Sequence, residues 1–331
     1  MKAAWYTQLG QAQDVLTVGE IDRPPVQAGE VLVKVHASGI NPSDVKQRSG
    51  WGGLKMRYPR VIPHNDGAGV IAAVGEGISP DRLGERVWIY EATLRGGSGT
   101  AAEYVAVPSE NAVPLPETTS FAAAACLGVP AMTAHHCLFK TGAGTDKDAV
   151  KGKTVLVTGG AGAVGNYAIQ LAKWGGATVI TTVSSEAKAE IAQAAGADYI
   201  LNYKTEDIAS RIRERVGSVD RIVEVDFAGN LATSLKVLKT NSAIATYASD
   251  SEPNPQIPIY SLIYKNLTVD YVLVYAMTRQ GHVAAAQDIN TCLSAGILRP
   301  VIGQQFTLEQ IAEAHEMQER GQAIGKLILE I

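Results

Sequence analysis

The sequence predicts an α/β protein that combines a doubly wound parallel sheet with a second, β-rich domain. One observation is the segment 153–165, in which aliphatic and β-branched residues precede a glycine-rich turn and a helical apolar pattern follows. Another is the alternation of short apolar runs with helical segments after this turn, which is typical of parallel sheets. A third is that residues 1–115 contain short strand patterns between turns rich in Gly, Pro, Asn and Asp.

The segment 153–165 begins with a predicted buried strand at 154–157 and continues into a turn that suits a phosphate. Its glycines follow the spacing G-x-G-x-x-G, which lets the backbone approach a pyrophosphate, while the next helix offers free N–H groups. No Gly-Lys-Ser/Thr follows, so an ATP-type phosphate loop is excluded. The sequence therefore predicts a dinucleotide site, and we assign its backbone contacts to Gly160, Ala161, Gly162, Ala163, Val164 and Gly165.

The other elements follow from apolar spacing and turn signals. In the β-rich part, strands are predicted at 2–6, 30–37, 69–74, 86–90 and 102–107. An Ala-rich helix follows Ser120. After the first helix of the parallel sheet, the predicted strands are 178–183, 199–201, 221–225, 242–247 and 267–274, and the helices are 185–195, 206–216 and 231–238. The last segment of the chain contains two predicted helices, 280–295 and 308–319, and two predicted strands, 299–302 and 326–330. These elements are too few for a third domain, so we expect the segment to complete the first domain.

Composition and charge narrow the classes of function. The chain has 331 residues, enough for two domains, and its net charge of −4 without a Lys/Arg block gives no footprint for nucleic acid. No apolar stretch is long enough to span a bilayer, and the first residues lack the apolar core of a signal peptide. Cys126, Cys137 and Cys292 lack disulfide or metal spacing and are expected to be buried. We therefore expect a cytoplasmic protein that binds neither nucleic acid nor membranes.

The end of the second strand of the parallel sheet indicates which dinucleotide binds. An NAD-specific site places Asp or Glu about 20 residues past the glycine turn, but the sequence at 181–185 is TTVSS. The hydroxyl of Ser184 and the ammonium of Lys188 suit a 2′-phosphate, which a carboxylate would repel. Glu186 is the competing observation, but at the start of a helix it complements the dipole. The sequence therefore predicts NADPH as the cofactor.

Six segments together resemble a known family. They are GINPSDVKQRSG (39–50), PHNDGAGVIAAVGEGI (63–78), GTAAEYVAVP (99–108), LGVPAMTA (127–134), VTGGAGAVG (157–165) and LRPVIGQQFTLEQIAEAHEMQERGQAIGKLIL (298–329). They resemble the zinc-independent quinone oxidoreductases, the ζ-crystallin-like branch of the medium-chain dehydrogenase/reductase superfamily. The resemblance implies a GroES-like catalytic domain at 1–122 and 275–331 and a Rossmann NADPH-binding domain at 123–274.

The resemblance also implies chemistry without a metal ion. In the zinc alcohol dehydrogenases of this superfamily, a Cys, a His and a Cys bind the catalytic zinc, and motif alignment places Asn41, Asn65 and Val129 at these positions. None of the three is a usual zinc ligand. Without a Lewis acid, alcohol oxidation is disfavoured. Hydride delivery to an acceptor that is already electrophilic, such as a quinone or an activated enone, remains.

Three functions stay open at the level of the sequence. The leading one is an NADPH-dependent quinone reductase. The second is an NADPH-dependent reductase of α,β-unsaturated ketones or aldehydes, with the same machinery and a different pocket. The third is a non-catalytic NADPH-binding protein of crystallin-like or RNA-binding type, although the acidic charge balance disfavours RNA.

The resemblance places further residues beside the cofactor and the substrate. Asn41 would donate to a substrate carbonyl or to the nicotinamide ribose, although an Asx-turn in N-P-S-D also explains it. Lys46 stands where the family usually has a tyrosine; it would reach a phosphate or a polar substrate, or lie solvated at the surface. Trp51 is a candidate aromatic wall of the pocket. The catalytic candidates are Asn41, Asp44 and Tyr275, and the other expected cofactor contacts are Thr133, Ser184, Lys188, Tyr203, Tyr247, Ala248 and Val274.

The strand predicted at 267–274 bears on assembly. Its sequence, LTVDYVLV, is long and apolar, and we expect it at the edge of the parallel sheet. An uncovered edge of this kind favours aggregation unless it is paired. We therefore predict a homodimer joined edge to edge through this strand, as the resemblance implies, with a tetramer as the alternative.

Overall fold

The structure is a computed structural model that describes residues 1–94, 96–142, 144–321 and 323–331. It divides into two compact units, Met1–Val129 with Arg299–Ile331 and Pro130–Leu298. The domains predicted from the sequence, 1–122 with 275–331 and 123–274, differ from these units chiefly in the helix Arg279–Ser294, which belongs to the second unit. In that unit, Asp288 of this helix lies 2.8 Å from His135 Nε2.

The elements are numbered in chain order. The strands are β1 (Lys2–Trp5), β2 (Thr17–Glu20), β3 (Glu30–Gly39), β4 (Asp66–Val74), β5 (Arg86–Ile89), β6 (Tyr104–Pro108), β7 (Ala112–Pro114), β8 (Lys140–Thr141), β9 (Gly144–Thr145), β10 (Thr154–Val157), β11 (Thr178–Val183), β12 (Tyr199–Asn202), β13 (Val219–Glu224), β14 (Leu238–Thr246), β15 (Thr268–Tyr271), β16 (Ile302–Thr307) and β17 (Lys326–Glu330). The helices are α1 (Ala12–Val15), α2 (Pro42–Ser49), α3 (Phe121–Ala124), α4 (Gly128–Phe139), α5 (Ala163–Trp174), α6 (Glu186–Ala194), α7 (Ile208–Val216), α8 (Phe227–Val237), α9 (Ile259–Tyr264), α10 (Arg279–Ser294) and α11 (Ile311–Glu319).

The first unit is built on a largely antiparallel sheet. Its strands follow the order β16-β17-β3-β4-β5-β7, and β6 also pairs with β3. The alternation of Val31, Val33 and Val35 along β3 directs these side chains into the core. The C-terminal strand β17 pairs antiparallel with β3, with Ile328 opposite Gly39. This pairing brings the start of β17 beside the loop that follows β3. Residues 299–331 thus belong to the first unit, as expected, whereas the helix predicted at 280–295 lies in the second.

The second unit contains the predicted doubly wound sheet. Its six strands are parallel and follow the order β12-β11-β10-β13-β14-β15. Leu156, Ile180, Ile222 and Ile244, one from each of four neighbouring strands, are buried in a common core. The strand order reverses between β10 and β13, which is the point where open sheets of this kind bind ligands beyond the carboxyl ends of their strands.

Most predicted elements are present, but two strands differ. The edge position of β15 is confirmed, whereas its predicted extent is wrong: the strand covers Thr268–Tyr271 rather than 267–274, and a 3₁₀ helix forms at Val274–Ala276. The strand predicted at 299–302 is also wrong, because the strand here is Ile302–Thr307. Pro300 lacks the N–H that a strand at 299–302 would need for its ladder.

The three cysteines are buried, as predicted, and form no disulfide among the described residues. Within the part of the chain that the structure describes, the helices are too short or too polar to cross a membrane.

Candidate functional site

The glycine-rich turn leaves β10 at the carboxyl edge of the parallel sheet and enters α5. Gly159 has a positive φ of 67°, and its N–H donates to Thr182 Oγ1 at 3.2 Å. A Cβ at Gly160 would lie 2.0 Å from Thr181 Oγ1, and a Cβ at Gly165 would lie 2.3 Å from the Gly159 carbonyl oxygen. Both positions therefore require glycine if the turn is to pack against β11 and α5.

The first turn of α5 has backbone N–H groups that lie next to the glycine-rich turn. Gly162 is the N-cap residue, and the N–H of Asn166 donates to its carbonyl oxygen at 2.8 Å. The N–H groups at 163–165 precede that bond, at the positive end of a helix of 12 residues. A Cβ at Gly162 would have the Gly159 carbonyl oxygen as its nearest neighbour, at 3.3 Å. The residues 160–165 thus form one continuous backbone cradle that fits the pyrophosphate of a dinucleotide.

The residues predicted to bind a 2′-phosphate follow the ends of β11 and β12. Ser184 directly follows β11, and Tyr203 follows β12, with its side chain 54% exposed. The N–H of Tyr203 donates to the Val183 carbonyl oxygen at 3.1 Å, which brings Tyr203 and Ser184 to the same edge. Lys188 is half-buried in the first turn of α6, where its N–H donates to Ser185 Oγ at 3.4 Å.

The other predicted cofactor residues of the second unit lie on three elements. Tyr247 and Ala248 follow β14 at the carboxyl edge, as predicted, and both are half-buried. Burial raises the pKa of the Tyr247 phenol well above its usual value, so this group stays protonated. Thr133 is buried in α4, whereas Val274 is buried and Tyr275 half-buried in the 3₁₀ helix after β15. The roles of these residues stay predictions.

Glu224 ends β13 beside the glycine turn and is 1% exposed. Its Oε1 accepts hydrogen bonds from Thr158 Oγ1 at 2.8 Å, Asp226 N–H at 2.7 Å and Asn230 Nδ2 at 2.7 Å. Its buried Oε2 has no hydrogen-bond partner among the described residues. Burial, more than the nearby Asp226 carboxylate, raises the pKa of the Glu224 carboxyl. Since Thr158 precedes Gly159, Glu224 joins the ends of β10 and β13 beneath the turn.

The first unit holds a separate cluster of buried polar side chains around the start of α2. Asn41 is 2% exposed and Asp44 is 5% exposed. The N–H of Asn41 donates to Asp44 Oδ2 at 2.8 Å, and the side chain of Asn65 donates to Asp44 Oδ1 at 3.0 Å. Asn41 Nδ2 donates to Asp66 Oδ2 at 2.8 Å. The structure thus brings the two predicted catalytic residues of this unit together and adds Asp66 to them.

Lys326 and Val129 complete this cluster. The ammonium of Lys326, which is 4% exposed, donates to Asn41 Oδ1 and to Asp66 Oδ2, the latter at 3.1 Å. The N–H of Val129 donates to Asp66 Oδ1 at 2.8 Å. The negative charge of Asp66 is therefore balanced by one cation, Lys326, and each of its two oxygens accepts a hydrogen bond from a neutral donor, as a buried carboxylate requires.

Two carboxyl groups in one buried cluster change the protonation of Asp44. Burial, together with the negative charge of Asp66, raises the pKa of Asp44 to about 7, although hydrogen bonds and the Lys326 charge act in the opposite direction. The folded protein therefore binds a proton at Asp44 over a pH range in which the unfolded chain has released it. Ionisation of Asp44 destabilises the fold as the pH rises from about 4 to about 7.

We expect the substitution Asp44→Asn to make stability less dependent on pH. Urea unfolding at pH 5 and pH 8 should show that the variant loses less stability over this interval than the unsubstituted protein, because the group whose ionisation is unfavourable is gone. Asp22→Asn, at an exposed position of the same unit, is the control and should leave the pH dependence unchanged. Parallel curves for Asp44→Asn and the unsubstituted protein would contradict the assignment.

Comparison with known proteins covers almost the whole chain. The family model for the alcohol dehydrogenase GroES-like domain matches residues 27–117, and the one for zinc-binding dehydrogenase matches residues 163–288. The quinone oxidoreductase of Rattus norvegicus is 31% identical over 335 residues, which cover 99% of this chain and 97% of that protein. The chain belongs to the quinone oxidoreductase-like branch of the medium-chain dehydrogenase/reductase superfamily.

Solved structures of this superfamily share the whole fold. An NAD-dependent alcohol dehydrogenase superposes with a TM-score of 0.88 at 29% identity, and the Escherichia coli quinone oxidoreductase complexed with NADPH superposes with a TM-score of 0.86 at 25% identity. Each comparison covers 100% of both chains. The predicted fold class, a Rossmann sheet with a GroES-like domain, is confirmed, and the protein is an NAD(P)-dependent oxidoreductase of this superfamily.

Each of the three positions aligned with the zinc ligands of the superfamily places an N–H donor in this cluster. Asn41 and Val129 donate N–H groups to Asp66, and Asn65 donates to Asp44. Asn41 Oδ1 accepts from the Lys326 ammonium and Asn65 Oδ1 from the Thr93 hydroxyl, so both amide oxygens already have donors. None of the three residues offers the thiolate, imidazole or carboxylate that zinc prefers. Throughout the described residues, no group of three or more His, Cys, Asp or Glu side chains is arranged to hold a metal ion.

Lys46 and Trp51 lie next to each other beyond this cluster. Lys46 Nζ is 4.4 Å from the centroid of the Trp51 ring, a cation–π contact, and the Trp51 side chain is 44% exposed. The sequence did not identify two buried residues, Lys326 in the polar cluster of the first unit and Glu224 beside the glycine turn of the second. A lysine opening the apolar strand KLILE and a glutamate closing the apolar strand RIVE were the available signals.

Proposed function

We propose that this protein is an NADPH-dependent quinone reductase that delivers a hydride to its acceptor without a metal ion. The observation that carries the proposal is the cluster in which Asn41, Asn65 and Val129 donate N–H groups to carboxylates at the superfamily's zinc-ligand positions. Such a site offers hydrogen-bond donors but no Lewis acid, so it suits an acceptor that is already electrophilic. The rat relative at 31% identity is a quinone oxidoreductase, which supports the same acceptor class.

The residues of this chain have separable roles in the proposal. The backbone at 160–165 binds the pyrophosphate, and Ser184, Lys188 and Tyr203 surround the 2′-phosphate. Asn41 donates to the acceptor oxygen, and Asp44, which has a pKa near 7, fixes the backbone of Asn41. NADPH supplies the hydride when it is bound. Thr133, Tyr247, Ala248, Val274 and Tyr275 are proposed to surround the nicotinamide, and Lys46 with Trp51 to meet the substrate.

The test is NADPH oxidation by the purified protein with a panel of quinones and enones, before and after dialysis against EDTA. We expect turnover of quinones that EDTA leaves unchanged. Turnover confined to α,β-unsaturated ketones or aldehydes would replace the proposal with the enone reductase. Cofactor binding without turnover of either class would indicate a non-catalytic NADPH-binding protein. Stoichiometric zinc, lost together with activity, would overturn the metal-free mechanism.

The cofactor preference gives a prediction at Lys188. We expect NADPH to be preferred over NADH, and Lys188→Ala to raise KM for NADPH by roughly 10- to 150-fold, because the ammonium no longer pairs with the 2′-phosphate. KM for NADH should hardly change, since NADH lacks that phosphate. Lys173→Ala, which removes an ion pair with Asp198 elsewhere in the same unit, is the control. Equal kcat/KM for the two cofactors in the unsubstituted protein would contradict the preference.

The proposal includes a homodimer joined through β15. This strand forms one edge of the parallel sheet; Tyr271, its last residue, is 67% exposed, and Leu273, two residues beyond it, is 60% exposed. The neighbouring helix α9 exposes Tyr260 (67%) and Tyr264 (81%). Apolar exposure on this scale beside an open edge supports pairing with a second copy.

We expect light scattering to give a dimer for the unsubstituted protein and a monomer for the double variant Leu273→Glu/Tyr264→Glu, because two buried carboxylates would face their symmetry copies. Leu83→Glu, at an apolar position 51% exposed on the first unit, is the control and should remain dimeric. A stable monomer of the unsubstituted protein at micromolar concentration would rule the dimer out.

A further inference from the structure

The side chain of Lys326 is a buried cation whose position is fixed by its strand. The N–H of Lys326 donates to the Val301 carbonyl oxygen at 2.8 Å, which holds the start of β17 beside β16. A Cβ at Gly39 would lie 2.0 Å from the Ala125 carbonyl oxygen and 3.3 Å from Lys326 Cε, so glycine at this position lets the residue after α3 and the lysine stem pack against β3. The ammonium is thereby held between Asn41 Oδ1 and Asp66 Oδ2.

These two neighbours fix which end of the Asn41 amide is the carbonyl. An ammonium only donates, so the amide atom that faces Lys326 is Oδ1; an ionised carboxylate only accepts, so the atom that faces Asp66 is Nδ2. Nδ2 carries two hydrogens, and among the described residues Asp66 accepts one of them, at 2.8 Å. One N–H of Asn41 is left for another acceptor. Because Asn41 is 2% exposed, water screens this donor weakly.

We propose that Lys326 is a positioning residue that acts through Asn41: its ammonium orients and polarises the amide so that the second Nδ2–H donates to the substrate oxygen. The inference rests on the quinone reductase function proposed above. In that reaction the quinone gains a hydride from NADPH, its oxygen becomes an anion, and water later supplies the proton, while Asn41 and Lys326 keep theirs. An ammonium on Oδ1 withdraws electron density from the amide and strengthens its N–H as a donor to that anion.

A double-mutant cycle tests this role. Lys326→Met keeps the length of the side chain and removes its positive charge. The side-chain amide of Asn41 can then rotate and is no longer polarised by the ammonium. We expect kcat with a quinone to fall on the order of 100-fold, the effect of losing one oxyanion donor, with KM for NADPH within about twofold. Asn41→Ala should lower kcat by a similar factor, and adding Lys326→Met to it should have little further effect. Lys326→Arg should restore most of the activity, because it returns a cation to the same place.

Three results would overturn the proposal. They are an unchanged kcat in Lys326→Met, effects of Lys326→Met and Asn41→Ala that multiply in the double variant, and a Lys326→Arg variant as slow as Lys326→Met. Lys2→Met, an exposed lysine of the same unit that pairs with Glu309, is the control and should keep full activity. If Lys326→Met does not fold, Lys326→Gln takes its place in the cycle, because its neutral amide can donate to Asn41 Oδ1 but carries no charge.

A readout that does not depend on turnover separates this inference from the proposed function. In protein labelled with [15N]asparagine, the side-chain amide signal of Asn41 is identified by its loss in Asn41→Ala. We expect Lys326→Met to shift this signal and Lys2→Met to leave it in place. If the unsubstituted protein reduces no quinone, the proposed function fails, while the shift still decides whether Lys326 polarises the amide. An unshifted signal overturns the inference whatever the activity.

Discussion

Replacement of Gly165 by alanine is expected to weaken NADPH binding by roughly 5- to 150-fold and to lower the thermal midpoint. A Cβ at this position would lie 2.3 Å from the Gly159 carbonyl oxygen and 3.1 Å from Gly160 Cα, both backbone atoms of the turn. Neither atom can move without displacing the phosphate cradle. Overpacking of this kind costs about 1–3 kcal/mol in stability. A loss of the same size in the free energy of NADPH binding corresponds to a roughly 5- to 150-fold lower affinity for NADPH.

Gly162→Ala provides the matched control for Gly165→Ala. Gly162 has a negative φ, and its added Cβ would approach no protein atom closer than the Gly159 carbonyl oxygen at 3.3 Å. We therefore expect this variant to keep its thermal midpoint and yet to bind NADPH more weakly, since the methyl group would occupy the space of the pyrophosphate. Fluorescence titration and thermal unfolding measure the two quantities separately. Equal NADPH affinity in Gly165→Ala and the unsubstituted protein would contradict a cradle at 160–165.

The second unit was predictable because its signals are local. A strand such as β11 is an uninterrupted run of β-branched residues, and the observed bounds Thr178–Val183 are those expected from the sequence. The extent of β15 was not predictable, because apolar residues continue past Asp270 to Val274 and nothing in the sequence shows where the chain leaves the sheet. Its departure depends on the end of its partner: Val272 N–H still donates to the Thr246 carbonyl oxygen, and Thr246 is the last residue of β14.

The polar cluster of the first unit could be predicted only in part. Asn41 and Asp44 stand three residues apart in a recognisable N-P-S-D turn, so local sequence identifies them. Lys326 lies 285 residues from Asn41 along the chain, and only the pairing of β17 with β3 brings the two together. A buried lysine is costly unless it is paired, so a lysine next to an apolar strand is a reason to search for a distant carboxylate, but the sequence alone does not say which one.

Glu224 is the residue of the second unit whose removal we expect to cost the most stability. Glu224→Leu fills the same space but leaves the N–H of Asp226 and Asn230 Nδ2 without their acceptor, while Thr158 Oγ1 keeps only the Val223 carbonyl oxygen at 3.2 Å. A buried donor without a partner costs about 1–3 kcal/mol, so the two unpaired donors should lower the free energy of unfolding by roughly 2–6 kcal/mol. NADPH affinity should fall as well, because Thr158 leads directly into the glycine turn.

The substitution Glu224→Gln shows whether the hydrogen-bond acceptor or the negative charge of Glu224 determines its effect on stability. Glutamine keeps an oxygen at the position of Oε1, so the three donors stay paired and the turn keeps its place. The pKa of Glu224 is raised in the folded protein, so its ionisation destabilises the fold increasingly as the pH rises above the ordinary glutamate value of about 4.3. Urea unfolding should therefore show Glu224→Gln close to the unsubstituted protein at low pH and relatively more stable at higher pH, with Glu224→Leu destabilised throughout. A Glu224→Leu variant as stable as Glu224→Gln would show that the three hydrogen bonds do not hold the ends of β10 and β13 together.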